Sequence, residues 1–216
     1  MTRRVQLALD ASAGPASVAL FLDGVLQLSR RIDKQGSAEL LAPTVAEVMH
    51  AAGLAPRNIT DVIVSAGPGS FTGLRVAAAL GKGLARGAGA RFHAVPSLPL
   101  IAAARADAAV GTYLGVLDAL RGEWFVQSVT KRGDSSWHVD GAVERRAVQV
   151  VRDRAVASGA RIVGPPIDAS QQPDACAALR IGAIEVALDA WEPDYGRLAE
   201  AQVQWEATHA RALPTA

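Results

Sequence analysis

The apolar and polar positions divide the chain into short apolar runs and longer stretches with apolar residues three and four apart. "VQLALD" (5–10), "SVALFLDG" (17–24) and "VLQLSRR" (25–31) are apolar runs separated by a Ser/Gly/Pro turn and by Asp23-Gly24, a strong hairpin signal. They predict an antiparallel meander of three strands. In "GSAELLAPTVAEVMHAAGL", apolar residues at 41, 45, 48 and 49 follow helical spacing. Ser37 is a candidate N-cap, Glu39 lies in the first turn, and Gly53 ends the helix. Pro43 places the start near residue 40 or introduces a kink.

"ITDVIVSAG" (59–67) is a nearly continuous β-branched run, the pattern of a buried parallel strand. A Gly-rich loop and a helix from Thr72 to Gly87 follow, then a short strand, a Pro-rich turn and a helix to about residue 106. "TYLGVLDALRGEWFVQSVTKRG" (112–133) repeats the opening pattern: an apolar strand closing on an Asp, a tight turn, and a returning strand. The repetition indicates an internal duplication, with the domain break between residues 103 and 112. Beyond it the pattern predicts a helix in "AVQVVRDRAVASG", the strand "ARIVG", a helix over "PDACAALRIGAIEVALDAW" (173–191), and a polar, peripheral tail from Glu192.

The 216 residues suffice for one large or two small domains, and half of them are hydrophobic. A net charge of +1 gives no strong field for steering nucleic acid or membrane, although it leaves room for a local basic patch. The single cysteine, Cys176, has no neighbouring base and reads as packing; one thiol fits a reducing compartment. The N-terminus is too short in apolar residues for a signal peptide, and no run approaches the length of a membrane helix, so a cytoplasmic protein is expected.

Chemistry has two candidate locations. Asp10 and Asp118 each end the first strand of a hairpin, where an acidic residue could hold a metal–nucleotide or simply cap the turn. "DASAG" is rich in small donors, Ser12 among them; "DALRGE" carries the bulky Leu120. "GPGSFTGLR" has the strand–loop–helix setting of an anion site but matches neither common phosphate-loop spacing, and Lys82 lies nine residues past Gly73. Glycine inside a helix costs about 1 kcal/mol relative to alanine. Gly73, Ala77, Gly81 and Ala85 recur every fourth residue and form one stripe of small side chains, suited to the protein's own sheet or to a partner helix. The histidines (50, 93, 138, 209) show no metal-ligand spacing, and no serine-nucleophile elbow is present.

"LALDASAGPASVAL", "AGPGSFTGLRVAAALGKGLA", "VPSLPLIAA", "LGVLDALRGEWF" and "EPDYGR" occur in that order and together resemble the bacterial TsaB (YeaZ) family. The resemblance covers most of residues 5–125 and a patch near 192–197. It implies an α/β chain with a two-domain actin-like ATPase / ribonuclease-H-like (ASKHA) fold, duplicated mixed sheets being flanked by helices. The domains would be 1–105 and a smaller, degenerate 106–216. It also implies a non-catalytic, cytoplasmic subunit that pairs with a TsaD-like transferase to install threonylcarbamoyl on adenosine 37 of tRNA, alongside a TsaE-like ATPase and the threonylcarbamoyl-AMP synthase.

The family pairs through its first two helices, here 37–52 and 72–87. On these, Leu40, Thr44, Glu47, Leu74, Ala77, Ala78, Gly81, Lys82 and Ala85 are the candidate contacts, with Ala78 taken as an exposed position. The same surface would serve a homodimer. Asp10, Ser12 and Asp118 would be relics of phosphate hairpins, with no cofactor or only weak ATP or ADP binding at the inter-subunit cleft, and tRNA would be reached only indirectly. TsaD-like proteins hold a metal with two histidines on one helix; the matching helix here has only His50. Two departures stand out: "QGSAE" lacks a histidine common in the family, and Leu120 replaces the first of two basic residues, while Arg121 keeps the second. The competing expectation is an enzyme, either an ATP-dependent kinase-like protein or a glycoprotease-type peptidase.

Overall fold

The computed structural model describes residues 3–33, 37–105 and 107–196. β1 (Val5–Asp10), β2 (Ala16–Leu22) and β3 (Val25–Ile32) form the expected antiparallel meander. β1 and β2 are buried along their whole length because both faces of their sheet are covered. Asp23 and Gly24 turn the chain with φ of 52° and 83°, the paired left-handed conformations of a tight hairpin.

A 3-10 turn over Ser37–Leu40 leads into α1 (Leu41–Ala51). The residue preceding α1 is Leu40, which makes no side-chain cap, so the expected cap does not start this helix; the Ser37 side chain lies outside the described residues. Pro43 falls in the first turn, where a missing N–H is tolerated. Leu41, Val45, Val48 and Met49 face inward.

β4 (Asp61–Ser65) lies parallel to β1 on one side and to β5 (Arg91–Val95) on the other, with α2 (Phe71–Ala88) crossing between β4 and β5. α3 (Ser97–Ala103) is buried throughout. β6 (Gly111–Asp118), β7 (Glu123–Lys131) and β8 (Trp137–Ala147) form a second meander, and α4 (Val148–Ser158) returns the chain to β9 (Arg161–Val163), parallel to β6. The duplication is thus deeper than the two hairpins. Three antiparallel strands, a helix and a strand parallel to the first occur twice.

The helix expected over 173–191 is corrected. The structure has a 3-10 turn (Ala175–Ala177), the short α5 (Ala178–Ile181) and β10 (Ile184–Glu185), which pairs antiparallel with β5. Gly182, at φ 83°, breaks the helix and turns Ile184 onto the first sheet.

The first sheet has the order β10-β5-β4-β1-β2-β3 and the second β8-β7-β6-β9. α1 and α2 cover the outer face of the first sheet, burying Leu7, Leu9, Val18, Leu20, Val62 and Val64. Its inner face (Ala8, Phe21, Ile63) meets the inner face of the second (Tyr113, Leu117, Phe125) through α3 and α5. α4 closes the outside of the second sheet over Leu114, Val116 and Val126.

The segment after β10 was expected to be peripheral from Glu192, and that too is corrected. It runs back along α2 as a strap. Leu188 and Trp191 join the core under α2, and Trp191 meets Phe92 edge-on at 5.4 Å. Arg86 pairs with Asp189, and Lys82 with Glu192 at 2.9 Å. Asp194 N–H donates to the Ala66 carbonyl at 2.7 Å, and Tyr195 packs on Phe71 at 4.6 Å with Arg75 lying 3.9 Å over the Phe71 ring. The remainder of the tail, from residue 197, lies outside the described residues.

Candidate functional site

Both hairpin turns point into one cavity of about 700 Å³ between the sheets. Ser12, Ala13 and Gly14 line it from the first turn, Asp118, Leu120 and Gly122 from the second, and Gly69 and Ser70 from the start of α2. Leu117, Trp124, Phe125, Val148, Pro165 and Pro166 supply apolar walls. The structure therefore brings Ser12 and Asp118 together but keeps Asp10 behind them, fully buried.

Each Asp caps its own turn. Asp10 Oδ1 accepts from the Ser12 N–H at 3.3 Å and from the Ser12 hydroxyl at 2.7 Å; Asp118 Oδ1 accepts from the Leu120 N–H at 2.8 Å. Asp10 Oδ2 and the Ser65 hydroxyl have no hydrogen-bond partner among the described residues. Burial pushes the Asp10 carboxyl up to about 6, and the hydrogen bonds from the Ser12 hydroxyl and N–H offset only part of that rise. In the second turn Leu120 and Arg121 hold φ of 66° and 55°, a conformation uncommon for side chains of that size.

The Gly-rich loop answers the phosphate question directly. The Ser70 N–H, at the mouth of α2, donates to the Ser12 carbonyl at 2.7 Å. The Gly73 N–H goes to the Ser70 hydroxyl at 3.2 Å. A β-carbon on Gly69 would lie 2.0 Å from the Ser12 carbonyl oxygen, and one on Gly73 would lie 1.9 Å from that of Ala11. The glycines let the first hairpin's backbone settle onto the helix N-terminus. The chain's own carbonyl takes a position that an anion site would leave for a phosphate oxygen. Among the described residues lining the cavity, Asp118 is the one charged group, and it is negative. Lys82 is turned toward Glu192 on the strap. No Lys, Arg or His is among the described residues that line the cavity to meet a phosphate directly.

The small-residue stripe of α2 faces inward. Gly73, Leu74, Ala77, Ala78, Gly81 and Ala85 are all buried, and a β-carbon on Gly81 would meet Val64 at 2.5 Å and Phe92 at 3.2 Å. The reading of Ala78 as exposed is corrected: it is 6% exposed, one of the buried residues of α2. Of the expected contact residues, Leu40 and Glu47 are exposed, with Glu47 bonded to Arg30 of β3, while Thr44 and Lys82 are half-buried. The outward side of α2 carries Thr72, Arg75, Ala79, Gly83 and Arg86.

Cys176 is half-buried, and its thiol is pushed up to about 12 by burial and by the nearby Asp174. That is an inert thiol. Among the described residues no group of three or more His, Cys, Asp and Glu is placed to hold a metal, and no helix is long and apolar enough to cross a membrane. What the residue-by-residue reading missed is the strap and the cavity's far wall. "EPDYGR" carried the signal for the strap, but its polarity read as a solvent-exposed tail.

A family model described as "TsaD: tRNA N6-adenosine threonylcarbamoyltransferase" matches residues 31–152, more than half of the chain. The tRNA threonylcarbamoyladenosine biosynthesis protein TsaB of Escherichia coli (strain K12) is 27% identical over 150 residues, covering 68% of this chain and 64% of that relative. TsaB of Haemophilus influenzae is 35% identical over 82 residues, 38% of this chain and 35% of that relative. The matched region therefore spans less than two thirds of the length of either relative. Among solved structures, YeaZ from Pseudomonas aeruginosa superposes with a TM-score of 0.71 at 25% identity, over 89% of this chain and 99% of that one. The twin meanders, the paired Asp turns and these matches agree on an actin-like (ASKHA) fold, and this chain belongs to the TsaB (YeaZ) family, whose fold is of the TsaD type.

Proposed function

We propose that this chain is a non-catalytic partner subunit in the formation of threonylcarbamoyladenosine in tRNA, acting by pairing with a TsaD-type transferase. The observation that carries this reading is the Ser12 carbonyl bonded to the Ser70 N–H. It ties up a backbone donor at the start of α2 with the protein's own carbonyl, and Asp118 is the one charged group among the described residues that line the cavity above it. The reading therefore gives this chain no ATP turnover and no kinase-like transfer of its own.

The pairing surface is the outward face of α1 and α2. Small side chains there, Ala46 on α1 with Ala79 and Gly83 on α2, allow a partner helix to come close, and the half-buried Val76 and Leu80 give apolar contact. A homodimer would use the same face, and a TsaE-like ATPase would act on the assembled pair rather than on this chain alone.

Size-exclusion chromatography with light scattering tests the proposal. The chain is mixed with the TsaD-type protein of the same organism, with and without ATP. A stable mixed complex that Ala79→Arg abolishes, while the variant remains folded, supports the reading. No mixed complex, together with ATP turnover by the chain alone, refutes it.

A further inference from the structure

The net charge of +1 conceals a concentrated basic feature at the opposite end of the first sheet from the cavity. β1, β4 and β5 are parallel, and their starts lie side by side, Gln6 beside Asp61 and Asp61 beside Arg91. Just outside them is a groove of about 620 Å³. Arg3, Arg57 and Arg91 line it, with Asn58 and Thr60, and no carboxylate does.

Behind the groove lies Asp61, fully buried. Burial alone would raise its carboxyl, but hydrogen bonds from Arg4, Thr60 and His93 outweigh that and hold it below the usual carboxylate range. Asp61 Oδ1 forms an ion pair with Arg91 at 2.7 Å and accepts from Arg4 at 3.2 Å and from the His93 ring at 2.9 Å. The negative charge thus stays inside, where it orients Arg4 and Arg91. Arg57 has no carboxylate partner among the described residues, and Arg3 meets Asp23 only at 3.9 Å, with both side chains largely exposed. Such a loose exposed contact contributes little and yields readily to a stronger anion. Ala88 and Gly89, at the C-terminal end of α2, form one rim. A helix end of that sense carries about half a negative charge, less than the two positive charges of Arg3 and Arg57 that Asp61 does not neutralise.

We infer that this groove binds the phosphodiester backbone of folded RNA, so that the chain contacts tRNA directly instead of only through its partner. The inference rests on the proposed function for the identity of the RNA; the chemistry, a polyanion against an arginine-lined groove, stands on the geometry. Arg57 and Arg3 supply the charges available to phosphate. Arg91, held by Asp61, fixes the floor. The contact is to backbone rather than bases, so it adds affinity and salt dependence without sequence preference.

The test is a fluorescence-anisotropy titration of an unmodified tRNA transcript at several salt concentrations. It uses both the complex with the TsaD-type partner and the chain alone. Arg3→Ala/Arg57→Ala is compared with the unaltered chain and with Arg154→Ala, a surface arginine on α4. The double variant is expected to bind about tenfold more weakly at 50 mM salt and to lower the salt slope by about two, with Arg154→Ala unchanged. Co-elution with the partner is measured on the same samples. An intact complex whose double variant binds tRNA as tightly as the unaltered one overturns the groove and leaves the proposed function standing. If no complex forms, the proposed function fails, and salt-dependent binding by the chain alone, lost in the double variant, still upholds the groove. Binding of inorganic phosphate at millimolar concentration, lost in the double variant, with no tRNA binding at 50 mM salt would mark a site for free anions and overturn the assignment to RNA.

Discussion

Alanine in place of Gly73 and of Gly83 makes the same chemical change on the same helix, yet the structure predicts opposite signs. At Gly83 the added β-carbon meets nothing within 4 Å, and the position is exposed in the interior of α2. The helix then gains about 0.5–1 kcal/mol, because alanine loses less backbone freedom on folding. At Gly73 the same intrinsic gain is available, but the β-carbon would lie 1.9 Å from the Ala11 carbonyl oxygen and 3.0 Å from its carbon. Those are backbone atoms of the strand-to-turn junction, and no rotamer change can move them. The hairpin must withdraw from α2, with an overpacking cost of about 1–3 kcal/mol. In a chain of this size 1 kcal/mol moves the melting temperature by about 2–4 °C. Gly83→Ala should therefore raise Tm by roughly 1–4 °C and Gly73→Ala lower it by roughly 2–12 °C, read by circular dichroism or differential scanning calorimetry. Gly81→Ala should also lower Tm, since its β-carbon would meet the stiff, buried Val64 side chain at 2.5 Å, though less than Gly73→Ala because a side chain rather than backbone must shift. A Gly73→Ala protein as stable as the unaltered chain would mean that the hairpin carbonyls do not occupy the start of α2, and the argument against a phosphate site would lose its base.

Asp10→Asn should stabilise the protein at pH 7 by roughly 2–3 kcal/mol. With the folded carboxyl raised from 3.8 to about 6, the folded state keeps a proton that the unfolded chain has lost. Stability then falls as pH rises through that window, and asparagine removes the fall while its amide faces the unpartnered Ser65 hydroxyl; urea melts at pH 4 and pH 7 check this, and an equal effect at both would contradict it. Cys176 should react with a maleimide far more slowly in the folded chain than in urea at pH 7.5, because its thiol sits near 12; equal rates would mean an accessible thiolate. On the strap, Glu192→Ala should cost less than about 1 kcal/mol, since Glu192 is 69% exposed in its pair with Lys82. Trp191→Ala should cost more than Glu192→Ala, because it removes an apolar contact with Phe92. Equal costs in denaturant would show that charge, not packing, holds the strap to α2.

The sequence made the first meander, α1, α2, the second hairpin and the Asp turns legible because their signals are local. "DG" turns the first hairpin, apolar spacing marks α1, and an Asp ends each lead strand. It left open whether the small-residue stripe meets the sheet or a partner. Spacing shows that Gly73, Ala77, Gly81 and Ala85 share a face, but only the fold shows which way that face turns. β8 was missed because "WHVDGAVERRA" is an edge strand, largely polar and kept in place by pairing with β7. The helix read across 173–191 failed at Gly182, where one residue of positive φ redirected the chain into β10. The arginine groove could not be read at all. Arg3, Arg57 and Arg91 are distant in sequence, and their convergence follows from the parallel pairing of β1, β4 and β5.

The measurement closest to the central claim is a reconstituted threonylcarbamoyl transfer to tRNA, run with the TsaD-type protein and its companions from the same organism. The present chain is omitted, supplied unaltered, or supplied as Ala79→Arg. The account predicts no ATP turnover by the chain alone, strong stimulation of transfer when it is added, and loss of that stimulation with Ala79→Arg. Transfer or ATP turnover by this chain without the TsaD-type protein would contradict it.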